Sequence, residues 1–177
     1  MKKLTDYSKL NQKDISYKEY HEYFETDDGL IVALDKHKPG ISKVLYYADE
    51  DWGTGEYRTA SDIAPTKEDL KRCFIQDNLR KLHSYKRWLE NHPTADLYIT
   101  ERVQYRGEES GARAIFAAFP DDLDDPRCKP LRKLTEEELK VVFAFEKEQE
   151  EQFIKRLERY WKRYADKVYI STYWANR

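Results

Sequence analysis

The first third of the chain contains short runs of aromatic and aliphatic residues separated by turn-forming sequences. Residues 20–26 and 30–34 are two such runs. The Asp-Asp-Gly sequence at 27–29 between them is typical of a tight turn, because glycine adopts a positive φ at low cost. The His-Lys-Pro-Gly sequence at 37–40 precedes a third run at 41–48. This pattern predicts a three-stranded antiparallel meander.

The N-terminal segment, residues 1–18, is polar and rich in lysine, and we expect it to be loosely ordered. Ser16 and Glu19 offer an alternative to the first strand of the meander. Serine followed three residues later by glutamate is typical of a capped helix start, which would place a helix at 17–24. We favour the strand.

A helical period begins near the middle of the chain. Thr66 follows a proline, and Asp69 three residues later comes close to completing a capping box. The apolar stripe of this helix consists of Leu70, Phe74, Leu82, Tyr85 and Leu89. The Asn-His-Pro sequence at 91–93 is predicted to end it.

Alternating positions return after this helix. Residues 97–105 and 112–119 are rich in strand-forming residues and enclose a turn that contains glycine, which predicts a β-hairpin. Residues 120–130 are predicted to form an acidic loop, and residues 167–174 a final strand.

Between that loop and the final strand lies a long predicted helix. Thr135 and Glu138 form a capping box before an apolar run, and the helix extends to about Tyr164. Acidic residues dominate its first half and basic residues its second half, which complements the helix dipole. The element order is then βββ-α-ββ-α-β. Antiparallel hairpins packed with two helices predict an α+β fold, in one domain spanning residues 1–177.

Composition adds that the surface is heavily charged. Charged residues make up 37% of the 177 residues and aromatic residues 14%, an aromatic content typical of folded chains. The net charge is −2, whereas proteins that hold nucleic acid by neutralising phosphates usually carry a positive excess. The 14 tyrosines suit either the edge of a core or a binding face.

The cysteines and the apolar runs indicate the compartment. Cys73 and Cys128 are isolated from each other and from histidine clusters, as expected in a reducing environment. The N-terminus has no apolar run, so we expect no signal peptide. No stretch approaches the roughly 20 apolar residues that cross a bilayer. We therefore expect a cytoplasmic protein without membrane association.

Motifs for catalysis, metal binding and cofactors are missing from the sequence. The four histidines are scattered, and the acidic run at 121–125 lacks the alternating ligands and central glycine of a calcium loop. No nucleophile elbow or phosphate-binding loop is present. We expect no enzymatic activity, no metal and no cofactor. One alternative stays open, a metal-dependent nuclease built on Asp96, Glu101 and Glu56 near predicted strands.

Acidic residues form two clusters that suit a basic partner. In the last helix the apolar stripe lapses at Glu146 and Glu150, so we expect its middle to stand in solvent or to face a partner. A merely solvated helix face is the alternative. The candidate partner-binding residues are Glu146, Glu148, Glu150, Glu151, Asp121, Asp122, Asp124 and Asp125.

Basic and aromatic residues are mixed at the end of the same helix, a combination that suits phosphate contact with base stacking. The candidate nucleic-acid-binding residues are Arg156, Arg159, Lys162 and Arg163. The alternative is a helix end whose cations complement the dipole and whose apolar stripe packs in the core. That stripe would consist of Phe153, Leu157, Tyr160 and Tyr164.

The C-terminal segment reads LERYWKRY at 157–164, KVY at 167–169 and TYW at 172–174. It resembles the tails of small accessory proteins carried by phages and plasmids of Gram-positive gut bacteria, among which anti-CRISPR proteins are common. The resemblance implies a small, acidic, cytoplasmic and non-enzymatic protein. Its implied role is to block the nucleic-acid groove of a host-defence nuclease such as a Cas protein. It assigns no role to any single residue.

Overall fold

The structure is a computed structural model, and it describes residues 1–38, 40–41, 66–101, 111–124 and 129–165. The chain divides into two compact units. The first unit combines Met1–His37 with Ser84–Glu148, and the second combines Lys38–His83 with Gln149–Arg177. Two antiparallel three-stranded sheets and several helices confirm the predicted α+β class.

The first sheet contains the first two strands of the predicted meander, paired as a hairpin. Its strands are β1 (Lys2–Lys3), β2 (His21–Glu25) and β3 (Ile31–Asp35), in the order β1-β2-β3 with antiparallel pairing throughout. Gly29 has a φ of 85°, and its N–H donates to the Thr26 carbonyl oxygen at 3.0 Å. The predicted turn is therefore confirmed, because glycine tolerates this left-handed conformation.

Two further expectations concern the same sheet. The alternative helix at 17–24 is wrong, since β2 pairs with strands on both of its sides. The third strand of this sheet is β1, which comes from the N-terminus of the chain. The third strand predicted at 41–48 lies outside the described residues from position 42 onward.

The N-terminal segment packs against this sheet. A 3-10 helix at Tyr7–Lys9 follows β1, and α1 spans Gln12–Ser16. The Asn11 side chain accepts a hydrogen bond from the Asp14 N–H and caps α1. The buried Tyr23 hydroxyl donates to the Asp14 carbonyl oxygen at 2.7 Å, which fastens α1 to β2.

The second sheet has the order β5-β4-β6, again antiparallel. Its strands are β4 (Asp96–Glu101), β5 (Ala114–Ala118) and β6 (Lys129–Lys133). The predicted hairpin of β4 and β5 is confirmed, while residues 102–110 between them lie outside the described part of the chain.

The prediction of a loop over residues 120–130 is wrong at both ends of that segment. The segment contains a 3-10 helix at Pro120–Asp124 and the beginning of β6. The sequence of this strand, KPLRK, does not predict a strand because it contains a proline and three basic residues. Both are tolerated because, among the described strands, β6 lies at the edge of its sheet, where one side of the strand needs no hydrogen-bonding partner.

A parallel bridge between Val32 and Arg113 joins the two sheets. The Arg113 N–H donates to Ile31 at 2.7 Å, and its carbonyl oxygen accepts from Ala33 at 2.9 Å. The buried cluster beneath draws on both sheets and on the last helix. It consists of Phe24, Val32, Leu34, Leu97, Ile99, Leu134 and Val142.

The single helix predicted from Thr66 onward is instead two helices. They are α2 (Lys67–Leu79) and α3 (Tyr85–Asn91). The predicted start is confirmed, because Thr66 and Asp69 form a complete capping box. A new cap at Ser84, whose side chain accepts from the Arg87 N–H, begins the second helix.

The second unit has its own core. Its buried residues are Leu70, Phe74, Leu82, Phe153, Leu157 and Trp161. Phe74 is fully buried, stacks on the ring of Tyr160 at 5.7 Å between centroids and lies 5.6 Å from Trp161. The predicted stripe of the last helix is thus confirmed at Phe153, Leu157 and Tyr160, while the Tyr164 side chain lies outside the description.

The last helix, α4, spans Glu136–Tyr164 and is 29 residues long, as predicted. Its capping box is confirmed: the Thr135 N–H donates to the Glu138 carboxylate at 3.0 Å, and the Glu138 N–H donates to the Thr135 hydroxyl at 3.2 Å. None of the described helices is both long enough and apolar enough to cross a bilayer.

Arg132 in β6 links the start of α4 to the turn of the first sheet. Its guanidinium donates to the buried Glu138 carboxylate at 2.7 and 3.0 Å and to Asp28 at 2.8 and 2.9 Å. These hydrogen bonds are the main reason that the pKa values of Glu138 and Asp28 lie below those of ordinary carboxyl groups.

We expect Arg132→Met to lower the free energy of unfolding of the first unit by about 2 kcal/mol at pH 7, because Glu138 stays buried without its cation. Both carboxyl groups have folded-state pKa values below their unfolded ones, so their stabilising effect is complete above about pH 4.5 and is lost as the pH falls through the folded values. Urea unfolding at pH 7, 5 and 3 measures this. The wild type should lose stability between pH 5 and 3 more steeply than the variant.

Arg72→Met is the matched control, because Arg72 is exposed and pairs with Asp69 within one helix. Such surface pairs contribute little, so this variant should keep the stability and the pH dependence of the wild type. Parallel pH profiles for the wild type and Arg132→Met would contradict the role of Arg132.

Candidate functional site

Glu146, one of the candidate partner-binding residues, has a structural task. Its half-buried carboxylate accepts hydrogen bonds from the Tyr85 N–H at 2.8 Å, the Lys86 N–H at 3.5 Å and the Ser84 hydroxyl at 3.5 Å. It therefore caps α3 from a position about 60 residues away in sequence. The expectation that α4 faces solvent or a partner at this position is wrong, since the lapse in its apolar stripe accommodates this cap.

A second effect of Glu146 is on Tyr85 itself. Burial, followed by the nearby charges of Asp35 and Glu146, raises the pKa of the Tyr85 hydroxyl to about 12. The hydroxyl donates to the Ile115 carbonyl oxygen at 3.3 Å. Tyr85 is therefore a neutral packing residue at any physiological pH.

The other acidic candidates of α4 are more accessible. Glu148 and Glu151 are exposed, and Glu150 is half-buried. Glu148 also makes contacts within the protein. Two carboxylates on one helix make a sparse recognition surface, so α4 alone is a weak candidate for the acidic site.

The aspartate cluster lies in the 3-10 helix that follows β5. Asp121 and Asp122 are both exposed. The Asp122 carboxylate accepts from the Phe119 N–H at 3.2 Å, while the Asp122 N–H donates to the Phe119 carbonyl oxygen at 2.9 Å. Asp122 thus fixes the local backbone, and Asp121 is the exposed carboxylate next to it in sequence. The Asp124 side chain and Asp125 lie outside the description.

Three rings form a cluster that includes Phe119, the residue directly before the 3-10 helix, and sequence reasoning missed all of them. Trp88 of α3 and His92, which caps the C-terminus of α3, stack with a centroid distance of 4.4 Å and an interplanar angle of 23°. Phe119, at the end of β5, lies 5.9 Å from Trp88 and 5.6 Å from His92. We call Trp88, His92, Phe119, Asp121 and Asp122 the acidic–aromatic patch.

The patch is held in a defined geometry. The His92 Nδ1 lies 2.8 Å from the Trp88 carbonyl oxygen, an acceptor, so this nitrogen carries the proton and the ring orientation is fixed. Phe119 is exposed over 37% of its surface, which is high for a large apolar side chain. The four-residue spacing of Trp88 and His92 on a helix was the signal available in the sequence.

Aromatic faces beside carboxylates suit a cationic side chain of a partner. A guanidinium or ammonium group is attracted to the face of an aromatic ring and pairs with a carboxylate through charged hydrogen bonds. Arginine and aromatic residues are also enriched at the centres of protein interfaces. The patch can therefore bind a lysine- or arginine-rich surface.

The candidate nucleic-acid residues occupy the last turns of α4. Arg159, Lys162 and Arg163 are exposed, whereas Phe153, Leu157 and Trp161 are buried. The guanidinium of half-buried Arg156 lies over the Phe153 ring, 5.5 Å from its centroid. Three of the four cations thus reach solvent, and one packs against the core.

The residues proposed for a metal-dependent nuclease are not brought together. Asp96 and Glu101 lie at opposite ends of β4, roughly 17 Å apart at the rise of a strand. Lys133 pairs with Asp96 at 2.8 Å, and this contact raises the pKa of Lys133. Glu56 lies outside the described residues, and those residues contain no cluster of three potential metal ligands.

The acidic–aromatic patch is thus described only by contacts within this chain. Comparison with protein-family models, curated proteins and solved structures finds no match for this chain.

Proposed function

We propose that this protein is a non-catalytic inhibitor that binds a nucleic-acid-handling nuclease through protein–protein contact, in the manner of anti-CRISPR proteins. The observation that carries the proposal is the acidic–aromatic patch. Exposed Phe119 lies next to the stacked rings of Trp88 and His92 and directly precedes the 3-10 helix that bears Asp121 and Asp122.

The chemistry of the patch selects the kind of partner. Guide-loaded Cas nucleases hold nucleic acid in a positively charged channel, which offers many arginine and lysine side chains. Carboxylates would replace the phosphates that these cations normally meet, and the aromatic rings would replace the bases. The net charge of −2 lowers the repulsion between the protein and such a channel relative to a basic protein.

The resemblance of the C-terminal segment to mobile-element proteins supports the same class of partner. A contact of this kind is electrostatically steered, so it should form quickly and weaken as salt concentration rises. Inhibition would follow from occupation of the channel and requires no catalytic group in this chain.

The test is a cleavage and mobility-shift assay with a guide-loaded Cas nuclease from a Gram-positive bacterium, its target DNA and this protein. We expect the wild type to block cleavage. Asp121→Lys and Phe119→Ala should each weaken inhibition about tenfold or more, because each removes a central contact. Asp122→Asn should have a smaller effect, since the asparagine oxygen can still accept from the Phe119 N–H.

Glu68→Lys is the matched control, a charge reversal at an exposed residue of α2 in the other unit. It should inhibit like the wild type. Undiminished cleavage in the presence of the wild-type protein would refute the proposal. Equal inhibition by Asp121→Lys, Phe119→Ala and the wild type would move the contact away from the patch.

A second candidate function is nucleic-acid binding by the basic end of α4. It is favoured by the exposure of Arg159, Lys162 and Arg163 on a helix whose opposite side is packed in the core. A lane with DNA and this protein alone separates the two functions. A shift of the DNA that Arg159→Glu with Arg163→Glu abolishes, with cleavage by the nuclease unaffected, would favour this alternative.

A further inference from the structure

A cavity in the first unit, apart from the acidic–aromatic patch, contains an incomplete set of hydrogen bonds. Its volume is about 290 Å³. It lies between α1, the turn of the first hairpin and the residues that enter β5. Its walls include the charged or polar residues Lys9, Asn11, Asp14 and Arg113 and the apolar residues Leu10, Leu30 and Ile31.

Asp14 places a buried carboxylate in this cavity. The residue is 5% exposed, and its two carboxylate oxygens share one donor, the Ala112 N–H, at 3.0 and 3.1 Å. A carboxylate offers about four acceptor positions, so most of them find no donor among the described residues. Burial of an ion with so few hydrogen bonds is costly unless another group supplies them.

Arg113, which also lines the cavity, has the complementary deficit, an unused hydrogen-bond donor. Its Nε is buried, and it meets no acceptor in the described part of the chain. The backbone of Arg113 is fixed by the bridge to β3, with hydrogen bonds of 2.7 and 2.9 Å, so the residue cannot easily withdraw. Lys9 does not compensate Asp14, because its ammonium group pairs with Glu25 at 2.7 Å.

The position of the Asp14 carboxylate depends on a glycine at residue 111. A Cβ atom at Gly111 would overlap both carboxylate oxygens of Asp14. Any other residue would therefore push the carboxylate out of its place beside the Ala112 N–H.

We propose that this cavity binds a small zwitterion, a molecule that carries both a protonated amine and a carboxylate, as free amino acids do. Its ammonium group donates to Asp14, its carboxylate accepts from Arg113, and its hydrocarbon part lies against Leu10, Leu30 and Ile31. The cavity is at the lower end of the size range of ligand pockets, which favours a metabolite of this size over a nucleotide.

The test is a thermal-shift and calorimetric titration of the full chain with a matched set of probes. L-Leucine carries both charges, 3-methylbutylamine lacks the carboxylate and 4-methylpentanoate lacks the amine. Glycine, L-glutamate and L-arginine are further zwitterions with different side chains. At least one zwitterion should bind saturably and raise Tm, and it should bind about tenfold or more tightly than analogues that lack one charge.

Two variants locate the binding. Asp14→Asn keeps an oxygen for the Ala112 N–H but loses the charge, and Arg113→Gln loses the cation; each should weaken binding about tenfold or more. Far-UV circular dichroism checks that each variant is folded. Because the two residues lie in different parts of the fold, one folded variant is sufficient to test whether the ligand binds in this cavity. Glu68→Gln, in the second unit, should bind like the wild type.

Absence of saturable binding for every zwitterion would overturn the proposal. So would binding of 3-methylbutylamine or 4-methylpentanoate as tight as that of the tightest zwitterion, or unchanged affinity for that zwitterion in a folded Asp14→Asn or Arg113→Gln variant.

Discussion

Phe74→Ala is expected to destabilise the second unit by about 4 kcal/mol, the largest effect of any single substitution proposed for this protein. Phe74 is fully buried in the cluster formed by α2 and the end of α4. Its ring stacks on Tyr160 and lies against Trp161. Alanine would leave a cavity and remove both ring contacts, and the surrounding side chains can close it only in part.

Urea unfolding followed by far-UV circular dichroism measures this loss. Tyr20→Ala is the control, because Tyr20 is the most exposed of the large hydrophobic residues in the described chain, at 59%, and its loss should cost about 0.5 kcal/mol or less. Similar midpoints for the Phe74→Ala variant and the wild type would mean that this cluster is not the core of the second unit.

Gly111→Ala is expected to cost the first unit about 3 kcal/mol. The added methyl group would overlap the Asp14 carboxylate, which would have to leave the Ala112 N–H. Both a buried carboxylate and a buried amide would then lack a partner. Gly40→Ala is the control, because a Cβ atom at Gly40 meets nothing within 4 Å.

A double-mutant cycle shows whether the cost arises from this overlap. Asp14→Ala removes the carboxylate, so Gly111→Ala should cost less in that background than in the wild type. Thermal and urea unfolding of the four proteins measure the coupling. Strict additivity of the two substitutions would contradict the close packing of Gly111 against Asp14.

The parts of this fold that the sequence predicts are those whose causes are local. The capping boxes of Thr66 with Asp69 and Thr135 with Glu138 close within three residues, so their hydrogen bonds follow from sequence spacing. The turn at Gly29 depends on one left-handed residue, and the buried stripe of α4 on helical periodicity.

The parts that the sequence hides depend on distant neighbours. The strand β6 contains Pro130, which is tolerated at the edge of the described sheet and beside a register shift at Ile99 and Thr100 of β4. The start of α3 is stabilised by Glu146, about 60 residues further along the chain. The lapse of the apolar stripe at that glutamate predicts exposure to solvent or to a partner, although its carboxylate caps a helix.

The candidate site shows the same division. Composition and charge identify Asp121 and Asp122, which the structure places in one exposed 3-10 helix. The rings beside them come from α3 and from the end of β5, and only the tertiary fold brings Trp88 to Phe119. The proposed recognition surface therefore combines charged and aromatic side chains that the linear sequence shows only separately.

Equilibrium binding to a guide-loaded Cas nuclease, measured by calorimetry at low and at physiological salt, tests the proposed function most directly. The wild type and Glu68→Lys should bind with equal affinity, and both should bind more weakly at the higher salt concentration. Asp121→Lys should bind about tenfold more weakly or worse. Failure of the wild-type protein to bind, or equal affinity of Asp121→Lys and the wild type, would contradict an inhibitor that acts through the acidic–aromatic patch.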